Sequence, residues 1–309
     1  MTPATLYERL FRDALRIRRV EEEIIRLYPS DCIQSPVHLS IGQEAVAVGA
    51  CASLARTDLL FGSYRSHAFY LAKGGDLRQM MAELYGKSEG CAGGKAGSMH
   101  LTAPDVGFMG ASAVVASTIP NAVGAALAAK RRGTGQVIVT VFGDGATEEG
   151  VYHESLNFAV LHGLPVLFLC ENNGLAVHSP QQSRQAYNLC DHASSYGLPT
   201  ARCAEGWDFL RVHETVGRAV EGIRETGGPR FVECSTYRYL EHVGTNDDHH
   251  VEFRDEAVLR EWQAQDPLLN DTRLRGRFED DIQTEIRDAV QFAENSPWPA
   301  PNALLEDVA

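Results

Sequence analysis

Long apolar runs and an excess of positive charge are both missing from this 309-residue sequence. No stretch approaches the roughly 18 apolar residues that a membrane-spanning helix needs, and the acidic N-terminus lacks the apolar core of a secretion signal. Asp and Glu number 41 against 28 Lys and Arg, which gives a formal net charge of −13. This charge argues against nucleic acid or an anionic membrane as the main partner.

Paired cysteines are also absent. The seven cysteines are scattered, form no CxxC pair and show no zinc-binding spacing. A mitochondrial transit peptide would be poor in acidic residues, unlike this N-terminus. We therefore predict free thiols in the reducing environment of the cytoplasm.

Three predicted helices precede a glycine-rich segment in the first third of the chain. Apolar residues recur with helical spacing over residues 5–28, and shorter helices are predicted over 42–54 and 77–85. Residues 86–112 then contain seven glycines and few aliphatic side chains. Loops of this length are usually functional or disordered. Because this one carries little charge and leads directly into a small-residue helix, we expect it to be ordered and to lie at a site.

Continuous apolar runs in the middle of the chain predict a parallel sheet. Val137 to Gly143 and Pro165 to Glu171 are typical of buried strands, and a helix from about Ala146 separates them. Such runs indicate a sheet that is covered on both faces. A further helix over 209–226 precedes a third strand, Phe231 to Tyr239.

No linker or internal repeat divides the sequence, so we expect one domain over residues 1–309. Its fold class is α/β, a parallel sheet flanked by helices. Helical extensions are expected at the N-terminus, residues 1–35, and at the C-terminus, residues 256–309.

Polar residues follow two of the predicted strands. Asp144 lies between two glycines after the first strand, and Asn173 follows the second, 29 residues later. One strand–helix–strand unit can bring both to the crevice outside the carboxyl ends of the sheet. A carboxylate and an amide oxygen suit Mg²⁺ or Ca²⁺ rather than zinc. The predicted helix start near Ala146 would offer free N–H groups to an anion.

Two common nucleotide-binding motifs do not fit these residues. The third glycine of a dinucleotide-binding GxGxxG would fall at Glu148, and no GxxxxGK[ST] phosphate loop occurs anywhere.

The GDG and NN pair resembles the thiamine-diphosphate signature, and the chain resembles the α subunit of the E1 component of 2-oxo acid dehydrogenase complexes. That family covers pyruvate, branched-chain oxo acid and acetoin dehydrogenases. The resemblance implies the thiamine-diphosphate-binding fold. It rests on HLSIGQEA (38–45), YRSH (64–67), GKAGSMH (94–100), GDGATEEG (143–150), ENNG (171–174) and TYRYLEH (236–242).

The resemblance implies a role for each matched residue. The implied metal ligands for Mg²⁺ are Asp144, Asn173 and the backbone carbonyl of Leu175. The implied diphosphate contacts are Tyr64, Arg65, Gly145 and Ala146, and the implied aminopyrimidine contacts are Ala113 and Val115. The implied catalytic residues are His242, near the thiazolium, and His38, on the substrate side. His67 is a further candidate for the diphosphate.

The sequence departs from the family pattern near these residues. Glu241 stands where a glycine commonly precedes the catalytic histidine, and Val243 stands where mammalian pyruvate enzymes carry a regulatory serine. Cys32 to Pro36 replaces a glycine-rich stretch on the substrate side. Asp247 to His250 superficially resembles a metal cluster, but we expect a solvated loop there.

The implied activity is decarboxylation of a small 2-oxo acid, with transfer of the acyl group to a lipoyl acyltransferase, E2. The resemblance implies that a separate β subunit supplies the glutamate that activates the cofactor, in an α2β2 heterotetramer. Two alternatives remain at this point. One is a carboligase that works without lipoate, and the other is a non-catalytic cofactor-binding subunit.

Overall fold

Six parallel strands form the central sheet of the structure, a computed structural model that describes residues 3–251 and 254–306. The strands of the chain are β1 (Leu59–Ser63), β2 (Phe108–Ser112), β3 (Ile138–Gly143), β4 (Val166–Asn172), β5 (Leu175–Ala176), β6 (Ser179–Pro180), β7 (Thr200–Cys203) and β8 (Arg230–Ser235). The sheet has the spatial order β2-β1-β3-β4-β8-β7, with every neighbouring pair parallel. The short strands β5 and β6 form a separate antiparallel pair.

Helices cover both faces of this sheet. They are α1 (Pro3–Leu27), α2 (Glu44–Cys51), α3 (His67–Lys73), α4 (Leu77–Leu84), α5 (Thr118–Arg132), α6 (Gly150–Leu161), α7 (Leu189–Ser195), α8 (Phe209–Thr226), α9 (Glu256–Gln265), α10 (Pro267–Asn270) and α11 (Thr272–Asn295). Helices α1, α2, α3, α4, α8 and α11 contribute to one apolar cluster, and α5, α6 and α7 contribute to the other. The predicted α/β sheet with helical extensions is therefore confirmed.

Side chains of β3 alternate between these two clusters. Val139 and Val141 are buried in the first cluster, and Ile138 and Phe142 are buried in the second. Because successive strand residues point to opposite faces and both faces are covered, apolar residues are favoured at nearly every position, and the buried Thr140 is the exception in β3. This explains the nearly continuous apolar run in the sequence.

The structure differs from the sequence prediction in the bounds of some elements and in the number of strands. The helix expected from Ala146 begins at Gly150, because residues Asp144–Glu148 form a 3₁₀ turn. The third predicted strand ends at Ser235 rather than Tyr239. Strands β1, β2 and β7 of the sheet were not predicted, since each is short, and β1 and β2 also contain a glycine, which weakens the strand pattern.

The glycine-rich segment is ordered, as expected, although its last five residues are strand β2. The carboxylate of Glu83, which is buried, organises it from α4. Its Oε2 accepts hydrogen bonds from the amides of Ala92 and Gly94, and its Oε1 accepts from Ala96 and Gly97. One side chain thereby satisfies four backbone donors of the loop.

Two further properties concern the described part of the chain. None of its helices combines the length and the apolar character that a membrane crossing requires. All seven cysteines are free thiols, as predicted.

Candidate functional site

A cavity of about 250 Å³ lies at the carboxyl ends of β3 and β4. The pairing of Gly143 with Glu171 brings the ends of the two strands to the same level. The sequence-predicted residues that line the cavity are Tyr64, Arg65, Val115, Asp144, Gly145, Ala146, Asn173, Leu175 and His242. Most of the predicted site is thus brought together at one edge of the sheet.

Asp144 follows β3 directly and is 1% exposed. Its Oδ2 forms an ion pair with Arg184, whereas its buried Oδ1 has no hydrogen-bond partner. Burial raises the pKa of this carboxyl, and the nearby Arg184 acts in the opposite direction. A buried carboxylate oxygen without a partner is costly. Oδ1 is therefore suited to a ligand such as a metal ion.

Asn173 lies on the turn after β4, and Leu175 is the first residue of β5. The amide nitrogen of Asn173 donates to Gln43 Oε1 at 3.0 Å, and its Oδ1 accepts from the backbone N–H of Leu175 at 3.1 Å. Gly174, between them, has a φ of +76°, a conformation that glycine adopts without strain. The turn therefore holds the amide side chain and the Leu175 backbone beside Asp144 in the cavity wall.

Gly145 is a position where a side chain does not fit. A Cβ there would lie 2.9 Å from the Cβ of Ala176. The glycine thus allows the turn after β3 and the strand β5 to approach closely. Ala146, which is buried, continues the same wall.

Three aromatic rings form a cluster beside the cavity. The ring of His38 lies 4.5 Å from that of Tyr64 and 5.0 Å from that of His242, centroid to centroid. Tyr64 and His242 are 5.4 Å apart. Burial and, second to it, the positive charge of Arg65 lower the pKa of each histidine to about 3. Both imidazoles are therefore neutral at pH 7.

Arg65 is buried and holds this cluster through the backbone. Its Nη1 donates to the carbonyl of Leu39 at 2.6 Å, and its Nη2 donates to the carbonyl of His242 at 3.1 Å. Burial lowers the pKa of the guanidinium, which nevertheless stays charged at neutral pH. Arg65 thus places a positive charge in the cavity wall.

Two predicted residues are not in the wall itself. His38 touches Tyr64 and His242 but does not line the cavity. Ala113 is half-buried and outside the wall, where its neighbours Val114 and Val115 lie instead.

Sequence reasoning missed three residues of this site. Gln43 bonds to Asn173 and also to Glu171, a buried carboxyl whose pKa burial raises to about 7. Arg184 contacts Asp144 from a loop that follows β6. Gln43 lies in the HLSIGQEA motif and Glu171 in the ENNG motif, so the sequence contained a signal for both. Arg184 lies in no such motif.

His67, a candidate for the diphosphate, lies elsewhere. It is fully buried, with Nδ1 3.2 Å from Glu21 Oε1 and Nε2 2.7 Å from Ser98 Oγ. Glu21 in turn accepts from the backbone N–H of Ser40. These contacts connect α1 to α3, so His67 stabilises the packing of the helices rather than lining the cavity.

The expectation of a solvated loop at Asp247 to His250 is wrong for its two central residues, since Asp248 is buried and half-buried His249 has its Nε2 2.8 Å from the carbonyl of Tyr239. Asp247 and His250 are exposed, but Asp248 is buried between Arg238, at 3.2 Å, and Arg254, at 3.1 Å. Within the described ranges, no group of three or more His, Cys, Asp or Glu side chains is arranged to hold a metal ion.

The departures from the family pattern have local explanations. The carboxylate of Glu241 accepts from the backbone N–H of Asn246 at 2.9 Å, so it stabilises its own loop. Gln34 and Ser35, within the Cys32 to Pro36 stretch, line a second cavity of about 710 Å³ against the glycine-rich segment.

Comparisons with known proteins agree with the motifs. A sequence model of the family described as "Dehydrogenase E1 component" matches residues 12–302. The α subunit of acetoin:2,6-dichlorophenolindophenol oxidoreductase from Bacillus subtilis is 38% identical, over 97% of this chain and 92% of its own length. The corresponding subunit from Cupriavidus necator is 35% identical, over 97% and 92%. The pyruvate dehydrogenase E1 α subunit from Zymomonas mobilis is 36% identical, over 96% and 87%.

These matches extend over nearly the whole chain and include every quoted motif segment. The resemblance drawn from the sequence is therefore confirmed, and the chain belongs to the dehydrogenase E1 component family.

Proposed function

We propose that this chain is the α subunit of a thiamine-diphosphate- and Mg²⁺-dependent 2-oxo acid dehydrogenase E1, acting on a pyruvate-like or acetoin-type substrate. The observation that carries the proposal is the convergence of Asp144, Asn173, Tyr64, Arg65 and His242 on one cavity at the strand ends. Relatives named for pyruvate and for acetoin are similarly close, so both substrate classes stay within the proposal.

The residues at the strand ends fit a hard divalent cation. Asp144 offers a buried carboxylate oxygen that has no partner, and Asn173 and Leu175 offer amide and backbone oxygens in the same wall. Mg²⁺ prefers such oxygen ligands and takes the rest from phosphate and water. We assign these three residues as its protein ligands.

Other residues of the cavity lining fit a diphosphate. Arg65 supplies a fixed positive charge, Tyr64 supplies a hydroxyl, and Gly145 and Ala146, which line the same cavity, are assigned to contact the diphosphate through their backbone. Val115, with the neighbouring Ala113, is assigned to the aminopyrimidine end of the cofactor.

When bound, thiamine diphosphate supplies the nucleophilic carbon and the electron sink for decarboxylation. His242, neutral and in the cavity wall, is assigned to hold or transfer a proton at its imidazole nitrogens. His38 contacts the same ring and is assigned to the substrate side.

The rim of the cavity suggests a protein partner. Val114 is 66% exposed, Val177 is 47% exposed and Val115 is 43% exposed, although all three line the cavity. Exposed apolar patches of this kind mark interaction surfaces. We propose that residues 1–309 form a single domain and that a β subunit covers this rim in an α2β2 heterotetramer. That subunit would supply the activating glutamate, and a lipoyl acyltransferase E2 would accept the product.

The cytoplasm is the proposed compartment, and the seven free thiols support it.

No structural observation favours either of the two alternative functions, the carboligase or the non-catalytic subunit. Glu241, one of the departures from the family pattern, accepts a hydrogen bond within its own loop, and a non-catalytic subunit would have no need of the histidine pair.

Co-expression with a candidate β subunit tests the proposal. The purified assembly should release CO2 from pyruvate or another 2-oxo acid, or oxidise acetoin with 2,6-dichlorophenolindophenol as the acceptor, only when thiamine diphosphate and Mg²⁺ are present. Asp144→Ala should abolish cofactor binding in calorimetry. Full turnover by this chain alone, or unchanged cofactor binding by Asp144→Ala, would contradict the partner or the metal assignment, respectively.

A further inference from the structure

Arg184 is held at all three nitrogen positions of its guanidinium. Its Nε donates to the backbone carbonyl of Ser179 at 3.0 Å. Its Nη1 pairs with Glu148, and its Nη2 pairs with Asp144. The side chain is 12% exposed. Because each nitrogen has an acceptor of its own, the guanidinium is fixed in one orientation.

Residues 179–185, here called the strap, are also anchored independently of the Asp144 side chain. Gln185, which is buried, places its Nε2 2.7 Å from Thr147 Oγ1 and 3.2 Å from the backbone carbonyl of Asp144. Its Oε1 accepts from Gln181, whose own Oε1 accepts from Asn172 at the end of β4. The strap therefore bridges the ends of β3 and β4.

The strap lies outside the cavity. Asp144 and Glu148 line the cavity, but Arg184 and Gln185 do not. Arg184 consequently contacts one oxygen of Asp144, Oδ2, from behind the cavity wall. The other oxygen, Oδ1, is left without a hydrogen-bond partner.

We propose that Arg184 is a positioning residue for the metal ion, a role that rests on the proposed function. It holds Oδ2 of Asp144 so that Oδ1 is presented to the cation. Metal-ligating carboxylates are generally held by hydrogen bonds of their own, and loss of such a partner typically weakens metal binding.

The charges around Arg184 are compatible with a cation close by. Glu148 shares the guanidinium with Asp144, so two carboxylates balance one positive charge before the metal ion is counted. Arg65, the other arginine at the cavity, donates to the backbone carbonyls of Leu39 and His242 instead. Among these arginines, Arg184 alone holds the Asp144 carboxylate.

The test measures metal binding rather than turnover. Mn²⁺, followed by electron paramagnetic resonance, replaces Mg²⁺ as the probe in the assembly in which the chain purifies, with thiamine diphosphate saturating. Arg184→Gln should raise the Kd for Mn²⁺ about 10- to 100-fold. At saturating Mn²⁺, its Kd for thiamine diphosphate should stay within about threefold of wild type, a split that general unfolding would not produce.

Two further variants keep the result interpretable. Arg184→Lys retains a cation that can pair with one carboxylate, so it should fold and show an intermediate Kd. Arg218→Gln removes an exposed guanidinium on α8 and should change nothing. An unchanged or lower Kd for Mn²⁺ in Arg184→Gln overturns the inference. A lower Kd would mean that Arg184 hinders metal binding. Absence of metal and cofactor binding in the wild type counts against the proposed function instead.

Discussion

The guanidinium of Arg65 donates from Nη2 to the backbone carbonyl of His242 at 3.1 Å, across 177 residues of sequence. Its Nη1 donates to the carbonyl of Leu39, next to His38. One buried cation therefore fixes both histidine-bearing segments from within the cavity wall. The same residue is assigned to the diphosphate, so we expect both cofactor binding and histidine placement to depend on this one side chain.

Arg65→Lys should weaken both the placement of the histidine segments and the binding of the cofactor. Lysine keeps the charge but cannot reach two carbonyls with a planar fork. We expect a loss of about 2 kcal/mol in the free energy of unfolding and a cofactor Kd at least about 10-fold higher, measured by urea denaturation and calorimetry. Arg211→Lys, at an exposed position on α8, is the matched control. Wild-type values for both quantities in Arg65→Lys would exclude this double role.

Glu83→Gln should loosen the glycine-rich segment. Glutamine cannot accept four hydrogen bonds in the same arrangement, because one carboxylate oxygen becomes an NH2 donor. Leaving buried donors without partners costs about 1–3 kcal/mol each, so we expect a loss of about 2–4 kcal/mol in the free energy of unfolding. Hydrogen exchange should quicken at the amides of Ala92, Gly94, Ala96 and Gly97. Glu89→Gln, at an exposed position in the same loop, should leave both unchanged.

The buried histidines predict a loss of stability in acid. The pKa of His38 is about 3 in the folded chain and about 6.5 in the unfolded chain. Between these values the unfolded chain binds a proton that the folded chain refuses, so the free energy of unfolding falls as pH falls through this window and is unaffected above it. In His38→Asn the slope below pH 6.5 should be shallower, by at most about 1.4 kcal/mol per pH unit.

Denaturation curves at pH 7.5 and pH 5 check this expectation. His250→Asn, at a side chain that is 76% exposed, is the control and should follow the wild type. A His38→Asn slope as steep as that of the wild type would show that protonation of His38 does not limit acid stability.

The predicted meeting of Asp144 and Asn173 depended on rules that need no coordinates. Asp144 directly follows one predicted strand, Asn173 comes two residues after the end of the next, and the carboxyl ends of parallel strands share one edge of a sheet. The same reasoning places Gly145 at this edge, although the contact with Ala176 that leaves no room for a Cβ there is visible only in the structure. Positions fixed by strand order are therefore accessible from the sequence.

Residues that arrive by tertiary packing were not accessible in this way. Arg184 reaches Asp144 from 40 residues away through a loop without apolar periodicity. His67 lies two residues after Arg65 but begins α3 and turns into the core towards Glu21. Sequence neighbours can thus belong to different sites, because the direction of a side chain depends on where the helix begins.

Gly145→Ala should disturb the cavity wall through one contact. The new Cβ would lie 2.9 Å from the Cβ of Ala176, and overpacking of this kind typically costs about 1–3 kcal/mol. Because the turn after β3 must move to relieve the contact, the cofactor Kd should rise about 10-fold or more. Ala176→Gly removes the opposing atom, so the double variant should recover most of the stability and affinity. If it binds the cofactor no better than Gly145→Ala, the added methyl group acts directly on the cofactor rather than on β5.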